Sequence, residues 1–588
     1  MKKYIRRRNS AAAFSCSKNS PLLNRIYANR GIESEEQLAR TLQSLHTPKQ
    51  LKGLDDAIPL LVEAVKQQQK ILVVGDFDAD GATSSSVAVL ALSAMGHQNV
   101  DFLVPNRFDY GYGLTPEIVE VAKDYHPDII VTVDNGIASI EGVRLAKQLG
   151  MTVIVTDHHL PGDETPEADA IVNPNQRGCE FPSKNLAGVG VIFYVMSALR
   201  SALRDAKWFE DNTLTEPNMA EFLDIVALGT VADVVPLDTN NRILVHQGLQ
   251  RMRSGKMRPG IQALLEVAGK DYRSLTASDL GFALGPRLNA AGRLDDMRLG
   301  IQCLTCSDYS QARTIAQDLD DLNRDRKSIE AGMQQKALKN LEQLTLAAED
   351  EMPWGLTLYD PEWHQGVIGI LASRIKDKFH RPVIAFANAN DDGSEIKGSA
   401  RSIPGLHIRD ALDAVAKRYP KLLSKFGGHA MAAGLSIASG NYAAFQQAFD
   451  EEVRRQLTAS DLEAEILTDG ELSQAEFHLG VAEELQSGGP WGQHFPEPVF
   501  DGEFQLVEQR IVGEKHLKMK LSPRFSSDMD AGASPVVDAI AFNVDTKKWP
   551  DFSVSTVILA YKLDINEFRG RRSLQLLVDY IEPVEMLT

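Results

Sequence analysis

Three short apolar runs in the N-terminal half of the chain restrict its fold more than any other feature. They are Ile71–Val74, Ile129–Val133 and Val153–Thr156. None of them alternates apolar with polar residues, so each predicts a strand that is buried on both faces, as in a parallel sheet covered by helices. The intervening segments Ser84–Met95 and Glu117–Tyr125 have helical spacing, and Gly96 and Gly150 are typical residues at helix ends. The sequence therefore predicts a doubly covered α/β domain.

The chain of 588 residues is too long for one hydrophobic core. Apolar residues on one stripe, without an internal proline, predict a long helix over residues 311–345, and a second α/β segment follows it. The alternation in His516–Leu521 predicts strands of a small antiparallel barrel or sandwich near the C-terminus. We expect a lead-in over 1–50, a parallel-sheet domain over 51–310, the connecting helix, a second α/β domain over 346–458 and the barrel over 459–588.

Acidic residues follow each of the three apolar runs directly. They are Asp76, Asp78 and Asp80 after the first run, Asp134 after the second, and Asp157 with His158 and His159 after the third. Ligands of open parallel sheets bind outside the carboxyl ends of the strands, so these side chains should converge. Clustered carboxylates repel one another unless a cation lies between them, and oxygen and imidazole ligands suit Mg²⁺ or Mn²⁺. Asp233 adds a further acid, and the set predicts a two-metal site suited to phosphoryl transfer.

Eight segments carry a resemblance to known proteins. Four of them resemble the ordered motifs of the DHH phosphoesterase superfamily: Gly75–Gly81, Val133–Gly136, Asp157–His159 and Gly229–Asp233. Four more make the chain closely similar to the RecJ family, the bacterial single-strand-specific 5′→3′ DNA exonucleases: Gly285–Arg293, Trp363–Gly369, Gly398–Ser402 and Phe426–Ala430. The resemblance begins near residue 20, keeps the same domain order and covers nearly all of the chain.

This resemblance implies a fold and an activity. The fold is α/β: a parallel-sheet DHH domain joined by a long helix to a second α/β domain, DHHA1, and followed by a small β-barrel with an OB-fold. The activity is hydrolysis of single-stranded DNA to 5′-mononucleotides with two divalent cations, Mn²⁺ or Mg²⁺, in recombination and repair. The resemblance implies metal ligands at Asp78, Asp80, Asp134, His158 and Asp233. Asp134 would bridge the two ions, while Asp157 and His159 would orient the site or touch the scissile phosphate.

The chain departs from the family pattern at one ligand position. Many relatives carry a histidine four positions before the second acid of the first motif, and this chain has Val74 there. Either Asp76 replaces that ligand, or one metal is held more weakly. The sequence leaves both possibilities open.

Basic and glycine-rich segments are the candidates for binding DNA. Arg107 follows a strand-like segment and stands among aromatic residues, a pattern that suits a phosphate clamp with stacking rings. Arginines and glycine-rich turns, which expose backbone N–H groups, favour a pocket for a terminal phosphate. The candidates are Arg287, Asn289, Arg293, Ser399, Arg401, Gly427, Gly428 and His429. Cations and aromatics in Lys515–Lys520, Lys547–Trp549 and Phe568–Arg572 suit a single strand on the barrel.

The net charge of −18 argues against a uniformly basic DNA-coating surface and favours a positive field confined to an interior channel. Four cysteines and no long apolar segment predict a cytoplasmic protein without a membrane anchor. The resemblance implies single-strand-binding protein and a RecQ-type helicase as partners of a monomer. Two alternatives remain. A phosphodiesterase for small nucleotides would not need the C-terminal barrel, and a non-catalytic DNA-binding scaffold would have degraded metal motifs.

Overall fold

The computed structural model describes residues 3–9, 14–106, 110, 112–347, 352–390, 392–524 and 535–584. The chain forms two compact units, which are described separately. The smaller contains Met1–Arg7 and Arg324–Thr468, and the larger contains Arg8–Asn323 and Asp469–Thr588. Among the described residues, no helix combines the length and the apolar character needed to cross a membrane.

The secondary structure follows in chain order. The strands are β1 (Lys3–Arg7), β2 (Ile71–Gly75), β3 (Val100–Leu103), β4 (Ile129–Val133), β5 (Thr152–Thr156), β6 (Ala170–Val172), β7 (Leu356–Tyr359), β8 (Val383–Asn388), β9 (Glu395–Arg401), β10 (Lys425–Gly428), β11 (Ala432–Ala438), β12 (Ala464–Thr468), β13 (Phe500–Val512), β14 (His516–Arg524), β15 (Val537–Ala541), β16 (Thr556–Phe568) and β17 (Arg571–Pro583). The helices are α1 (Pro21–Ala28), α2 (Leu54–Gln67), α3 (Ala79–Ala94), α4 (Pro116–Ala122), α5 (Ile140–Gln148), α6 (Gly188–Asp205), α7 (Trp208–Asp211), α8 (Leu223–Ala232), α9 (Thr239–Arg253), α10 (Pro259–Val267), α11 (Ala277–Asp279), α12 (Gly285–Leu294), α13 (Arg298–Thr305), α14 (Tyr309–Ala347), α15 (Ile368–Phe379), α16 (Ile408–Arg418), α17 (Tyr442–Gln456) and α18 (Leu479–Gly488).

The larger unit contains the predicted parallel sheet. Its strand order is β3-β2-β4-β5-β6, and every neighbouring pair is parallel. All residues of β2 and β4 are buried, which explains why their sequences are apolar without alternation. Gly75, Val133 and Thr156 lie in one row across β2, β4 and β5. The acids that follow these residues therefore leave the sheet at one edge, as the sequence predicts.

The C-terminal part of the larger unit is a closed barrel with the strand order β13-β14-β15-β17-β16. Leu517, Met519 and Leu521 are buried while the residues between them face outward, as the alternation predicts. The expectation of a wholly antiparallel barrel is wrong for one pair. Strands β15 and β17 are parallel, because β16 lies between β13 and β17 and leaves β15 to close the barrel against β17.

The smaller unit contains a mixed sheet with the order β10-β11-β9-β8-β7. Only β7 and β8 are parallel, and α16 and α17 contribute to the core beside the sheet. A second pairing in this unit joins β1 to β12 in parallel. The first strand of the chain thus groups with this unit, whereas the rest of the first fifty residues groups with the larger one. A strand pairing between segments so far apart in sequence leaves no local pattern.

Candidate metal centre

The first acidic motif is shaped by the start of α3. Asp78 is the N-cap residue of this helix, and its Oδ1 accepts hydrogen bonds from the backbone N–H groups of Asp80 (2.9 Å) and Gly81 (3.0 Å). The helix lies against β2 so closely that a Cβ at Gly75 would come within 2.3 Å of the Ser85 Oγ. Strand, turn and helix thereby hold the carboxylates of this motif at the edge of the sheet.

Asp80, in the first turn of α3, lies against the N-terminus of α6. Its Oδ2 accepts a hydrogen bond from the Gly188 N–H (2.5 Å), and its Oδ1 accepts one from the Val189 N–H (2.9 Å). The positive end of the helix dipole favours the anion at this point. Burial and the neighbouring Asp78 charge nevertheless raise the pKa of Asp80 to about 7. A cation nearby would be needed to keep this carboxylate ionised.

Asp134 directly follows β4 and has a left-handed backbone with φ of 61°. The residue is only 2% exposed. Burial, with the charges of Asp80 and the other surrounding aspartates, raises the pKa of Asp134 well above its ordinary value. The hydroxyl of Tyr112 donates a hydrogen bond to the Asp134 carbonyl (3.3 Å), which holds this turn in place.

Asp157 acts on the two histidines that follow it. Its Oδ1 accepts hydrogen bonds from the His158 N–H (2.7 Å), the His159 N–H (3.1 Å) and the His159 Nδ1 (2.7 Å). Burial opposes ionisation of Asp157, but the hydrogen bond and the charge of His159 lower its pKa below the usual value. Asp157 is therefore an anion that orients His159. Burial and His159 lower the pKa of His158 to about 4, which keeps its ring neutral and able to bind a metal.

Three buried atoms meet at the centre of the site. The Nε2 of His158 lies 3.1 Å from the Asp134 Oδ1, 3.5 Å from the Asp233 Oδ2 and 4.0 Å from the Asp80 Oδ2. Within the described residues, the His158 Nε2, the Asp134 Oδ1 and the Asp233 Oδ2 are buried and take part in no hydrogen bond. Buried polar atoms without partners are costly, and a divalent cation would satisfy all of them. These donors fit Mn²⁺ or Mg²⁺.

A second set of carboxylates adjoins the first. Ligand atoms of Asp76, Asp78 and Asp134 lie within 4.8 Å of one another, as do those of Asp80, His158 and Asp233. Asp134 also forms such a group with His158 and His159. Overlapping groups that share Asp134 and His158 are the arrangement expected for two ions.

The position of the missing histidine lies inside the sheet. Val74 is fully buried in β2, and its carbonyl accepts a hydrogen bond from the Asn135 side chain (3.0 Å). Its side chain packs in the apolar cluster beside the sheet. Asp76 is only 5% exposed and lies beside Asp78 and Asp134. Asp76 therefore lies close enough to these two carboxylates to form a group of ligands with them.

Helix α12 braces the first motif rather than presenting free cations to it. The Asn289 Oδ1 accepts a hydrogen bond from the Ala79 N–H (2.9 Å), and Arg293 lies in the last turn of the helix. The Arg287 guanidinium pairs with Asp320 (2.7 Å) and donates to the Ala283 carbonyl (2.6 Å). Among the candidate DNA contacts, Arg287 and Asn289 therefore already have protein partners.

The candidates of the smaller unit lie on β9 and around β10. The Arg401 Nη1 donates hydrogen bonds to the Ser399 Oγ (3.1 Å) and the Ala400 carbonyl (2.8 Å). Helix α15 begins beside them, since a Cβ at Gly369 would lie 2.9 Å from the Arg401 Nη2 and 3.0 Å from the Ser399 Oγ. A guanidinium, a hydroxyl and a helix N-terminus together can bind a phosphate.

The glycine-rich turn lies two strands away from this pair. Gly427 and Gly428 are in β10, and the His429 N–H bonds back to the Ala432 carbonyl (2.8 Å). The structure thus places four of the five predicted residues of this unit on one sheet, and His429 in the turn between β10 and β11.

Two other candidate DNA contacts have different outcomes. Arg107 lies outside the described residues. Trp549, expected among the exposed aromatics of the barrel, is 8% exposed and packs in the core. Among the rings of this region whose exposure is described, Phe542 and Phe552 are exposed. The expectation that Trp549 offers an exposed ring for stacking is therefore wrong, because a tryptophan beside surface lysines can equally fill a core.

Two contributors were missed by the sequence. The Tyr112 hydroxyl lies 3.2 Å from the His159 Nδ1 and 3.4 Å from its Nε2, in addition to bonding Asp134. The backbone N–H groups of Gly188 and Val189 hold Asp80 from a distance of more than a hundred residues along the chain. The aromatic cluster around Tyr112 was visible in the sequence, but nothing local linked α6 to Asp80.

Comparison with known proteins assigns a family to each part of the chain. The models of the DHH family N-terminal domain, the DHHA1 domain and the RecJ OB domain match residues 70–230, 354–455 and 468–580. The single-stranded-DNA-specific exonuclease RecJ of Salmonella typhimurium is 57% identical over 564 residues, which cover 96% of both chains.

Two solved structures resemble the whole chain. RecJ from Thermus thermophilus in complex with Mn²⁺ is 29% identical with a TM-score of 0.74, and the match covers 97% of this chain and 77% of that one. Its complex with Mg²⁺ is 27% identical with a TM-score of 0.70, covering 97% and 76% of the two chains. Both matches include the parallel-sheet, second α/β and barrel regions described above.

Proposed function

The chain belongs to the RecJ family of single-stranded-DNA-specific exonucleases, and from this membership we propose that it degrades single-stranded DNA in the 5′→3′ direction and releases 5′-mononucleotides. The observation that carries the proposal is the meeting of the buried, unbonded His158 Nε2, Asp134 Oδ1 and Asp233 Oδ2. A strand-end site of this composition suits hydrolysis of a phosphodiester. Its cellular role would be in recombination and repair.

We assign the cations to the two groups of donors. Asp80, His158 and Asp233 would hold one ion, Asp76 and Asp78 would hold the other, and Asp134 would contribute to both. Two Mn²⁺ or Mg²⁺ ions supply Lewis-acid stabilisation of the reacting phosphate and lower the pKa of the attacking water. The N–H groups of Gly188 and Val189 each bond one oxygen of the Asp80 carboxylate, which would orient it toward its ion.

The residues around the ions would position the scissile phosphate. His159 is fixed by Asp157 through its Nδ1, and the same interaction raises the pKa of His159 although burial opposes this. A protonated His159 can donate a hydrogen bond to a phosphate oxygen, so we propose this role for it. Tyr112 borders the same ring and would limit its movement.

In the smaller unit, Ser399, Arg401, Gly427, Gly428 and His429 would bind the 5′-phosphate end. Support comes from the contact of Arg401 with Ser399 and from the start of α15 beside both. Arg401→Gln should raise KM about tenfold for a 5′-phosphorylated strand, in line with the removal of a charge-assisted hydrogen bond. Arg409→Gln, on the exposed side of α16, is the matched control. Equal KM values for the two variants would contradict the assignment.

Digestion of end-labelled DNA tests the whole proposal. With Mn²⁺ or Mg²⁺, a 5′-labelled single strand should release labelled mononucleotide from the start, while a blunt duplex of the same sequence stays intact. A ladder of shortened fragments that keep the 5′ label would indicate degradation from the 3′ end. A single strand that stays intact would refute the activity. Asp134→Asn should abolish cleavage but retain DNA binding in a chelator, because it alters the donor shared by both groups.

We further propose the protein's cellular setting. An exonuclease that accepts only single strands needs an enzyme that opens duplex, and exposed strands are covered in cells. Consistent with this, the resemblance to the RecJ family implies a RecQ-type helicase and single-strand-binding protein as partners of a cytoplasmic monomer. Copurification in DNA-damaged cells and light scattering of the isolated protein test these expectations.

A further inference from the structure

One face of the smaller unit's sheet carries ordered rows of residues across β9, β11 and β10. Residues two apart on a strand share a face, and register places them side by side on adjacent strands. The rows are Arg401 with Ala432; Ser399 with Gly434 and Gly427; and Lys397 with Ser436 and Lys425. The opposite face, with Ile396, Ala400 and Leu435, is buried in the core.

The middle row is bare. A Cβ built at Gly427 or at Gly434 would meet no atom within 4 Å, so both strands can be approached closely by a ligand. Both glycines are exposed. A surface without side chains offers nothing for an apolar protein partner to pack against, but it lets a sugar–phosphate backbone lie against the sheet.

The last row is cationic. Lys397 and Lys425 are exposed, and β11 separates them, so their Cα atoms are about 10 Å apart at two strand spacings. Ser436 lies between them in the register. Glu395 is the next residue of β9 on this face, and its carboxylate would repel an anion that extended further. The surface that suits a polyanion therefore ends at the row of Lys397 and Lys425.

We propose that Lys397 and Lys425 bracket a backbone phosphate of a single strand that crosses the bare row of Gly427 and Gly434 on its way from Arg401. This rests on the proposed function, in which Arg401 and Ser399 bind the terminal phosphate. The lysine row is four residues from Arg401 along β9, about 13 Å. The bracketed phosphate is thus about two to four nucleotides from the terminal one, because a stacked strand advances ~3.4 Å per nucleotide and an unstacked strand advances further.

The test compares two double variants of the full-length protein. Lys397→Gln with Lys425→Gln removes the row, and Lys378→Gln with Lys421→Gln removes the same charge from other exposed positions of this unit. The substrate is a 5′-phosphorylated strand of about 16 nucleotides. We expect KM to rise about tenfold in the first variant, with kcat within about twofold of the wild type. The salt dependence of log(kcat/KM) should become shallower by about 0.7 for each phosphate that the protein no longer neutralises.

Two further measurements make the result specific. A 5′-phosphorylated dinucleotide is too short to reach the lysine row, so its kinetics should not distinguish the two double variants. Lys397→Arg with Lys425→Arg should restore the wild-type salt dependence, which a folding defect would not allow. Equal KM and salt dependence in the two glutamine variants would overturn this inference while leaving the exonuclease intact. Failure of the wild type to degrade DNA would instead overturn the proposed function.

Discussion

Gly188 packs so tightly against Asp134 that a Cβ at its position would lie 2.6 Å from the Asp134 Cβ. The N–H group of the same glycine donates a hydrogen bond to Asp80. One backbone position on α6 therefore fixes the spacing between two proposed metal ligands, Asp134 after β4 and Asp80 in the first turn of α3. Bulk at this position must displace one of them.

Gly188→Ala should therefore weaken metal binding more than it weakens the fold. We expect the affinity for Mn²⁺ to fall about 10- to 100-fold, as it does when a residue supporting a metal ligand is changed. Titration calorimetry of the metal-free protein measures this directly. Gly332→Ala is the control, because a Cβ at Gly332 meets no atom within 4 Å. An unchanged Mn²⁺ affinity in Gly188→Ala would contradict the coupling.

The parts of the site that the sequence predicts are those that directly follow strands of the parallel sheet. Asp76, Asp134 and Asp157 each follow a strand, and parallel register alone brings the strand ends together. Asp233, at the end of α8, does not follow a strand, so strand register does not predict its place. Its apolar setting and the resemblance to a known motif made it a candidate. The contact of Gly188 with Asp80 spans 108 positions and has no local pattern.

Arg287 shows the opposite limit. An arginine in a glycine-containing motif is a reasonable candidate for a phosphate contact, yet its guanidinium is bonded to Asp320 of α14. The sequence shows that Arg287 is positively charged, but it does not show which residue will pair with that charge. The same limit applies to β1, whose partner β12 lies more than 450 residues away.

The Tyr112 hydroxyl offers a second test of the site. Tyr112→Phe removes the hydrogen bond to the Asp134 carbonyl and the polar contact with His159 while retaining the ring. We expect kcat to fall about tenfold with KM nearly unchanged, because about 1.4 kcal/mol of positioning is removed from the transition state. Tyr110→Phe is the control. A drop in thermal stability without a change in kcat would indicate a purely structural role.

A buried ion pair joins the turn after α1 to the segment that precedes the barrel. Arg30 and Asp469 are 0% and 1% exposed at their side chains, and two hydrogen bonds of 2.8 and 3.0 Å join them. Asp469→Asn should lower the free energy of unfolding of this unit by about 3 kcal/mol, since it leaves Arg30 buried without a counter-charge.

The exposed pair of Arg524 and Glu503 provides the comparison for this variant. Arg524→Gln should cost less than about 1 kcal/mol. Urea denaturation of both variants measures the difference. Equal decreases in the free energy of unfolding would show that burial does not make the Arg30–Asp469 pair more stabilising than the exposed pair.

His97 makes the stability of the larger unit depend on pH. Its side chain is fully buried, and desolvation lowers its pKa below the ordinary value of 6.5. Below about pH 6.5 the unfolded chain takes up a proton at this residue that the folded protein does not bind. The free energy of unfolding must therefore fall as the pH falls from about 6.5 towards the folded-state pKa.

His97→Phe should make this decline shallower by up to about 1.4 kcal/mol per pH unit, measured by urea denaturation between pH 7.5 and 5.5. His494→Asn is the control, because His494 is exposed and asparagine tolerates its left-handed backbone. If the free energy of unfolding falls with pH as steeply in both variants as in the wild type, His97 does not cause the pH dependence.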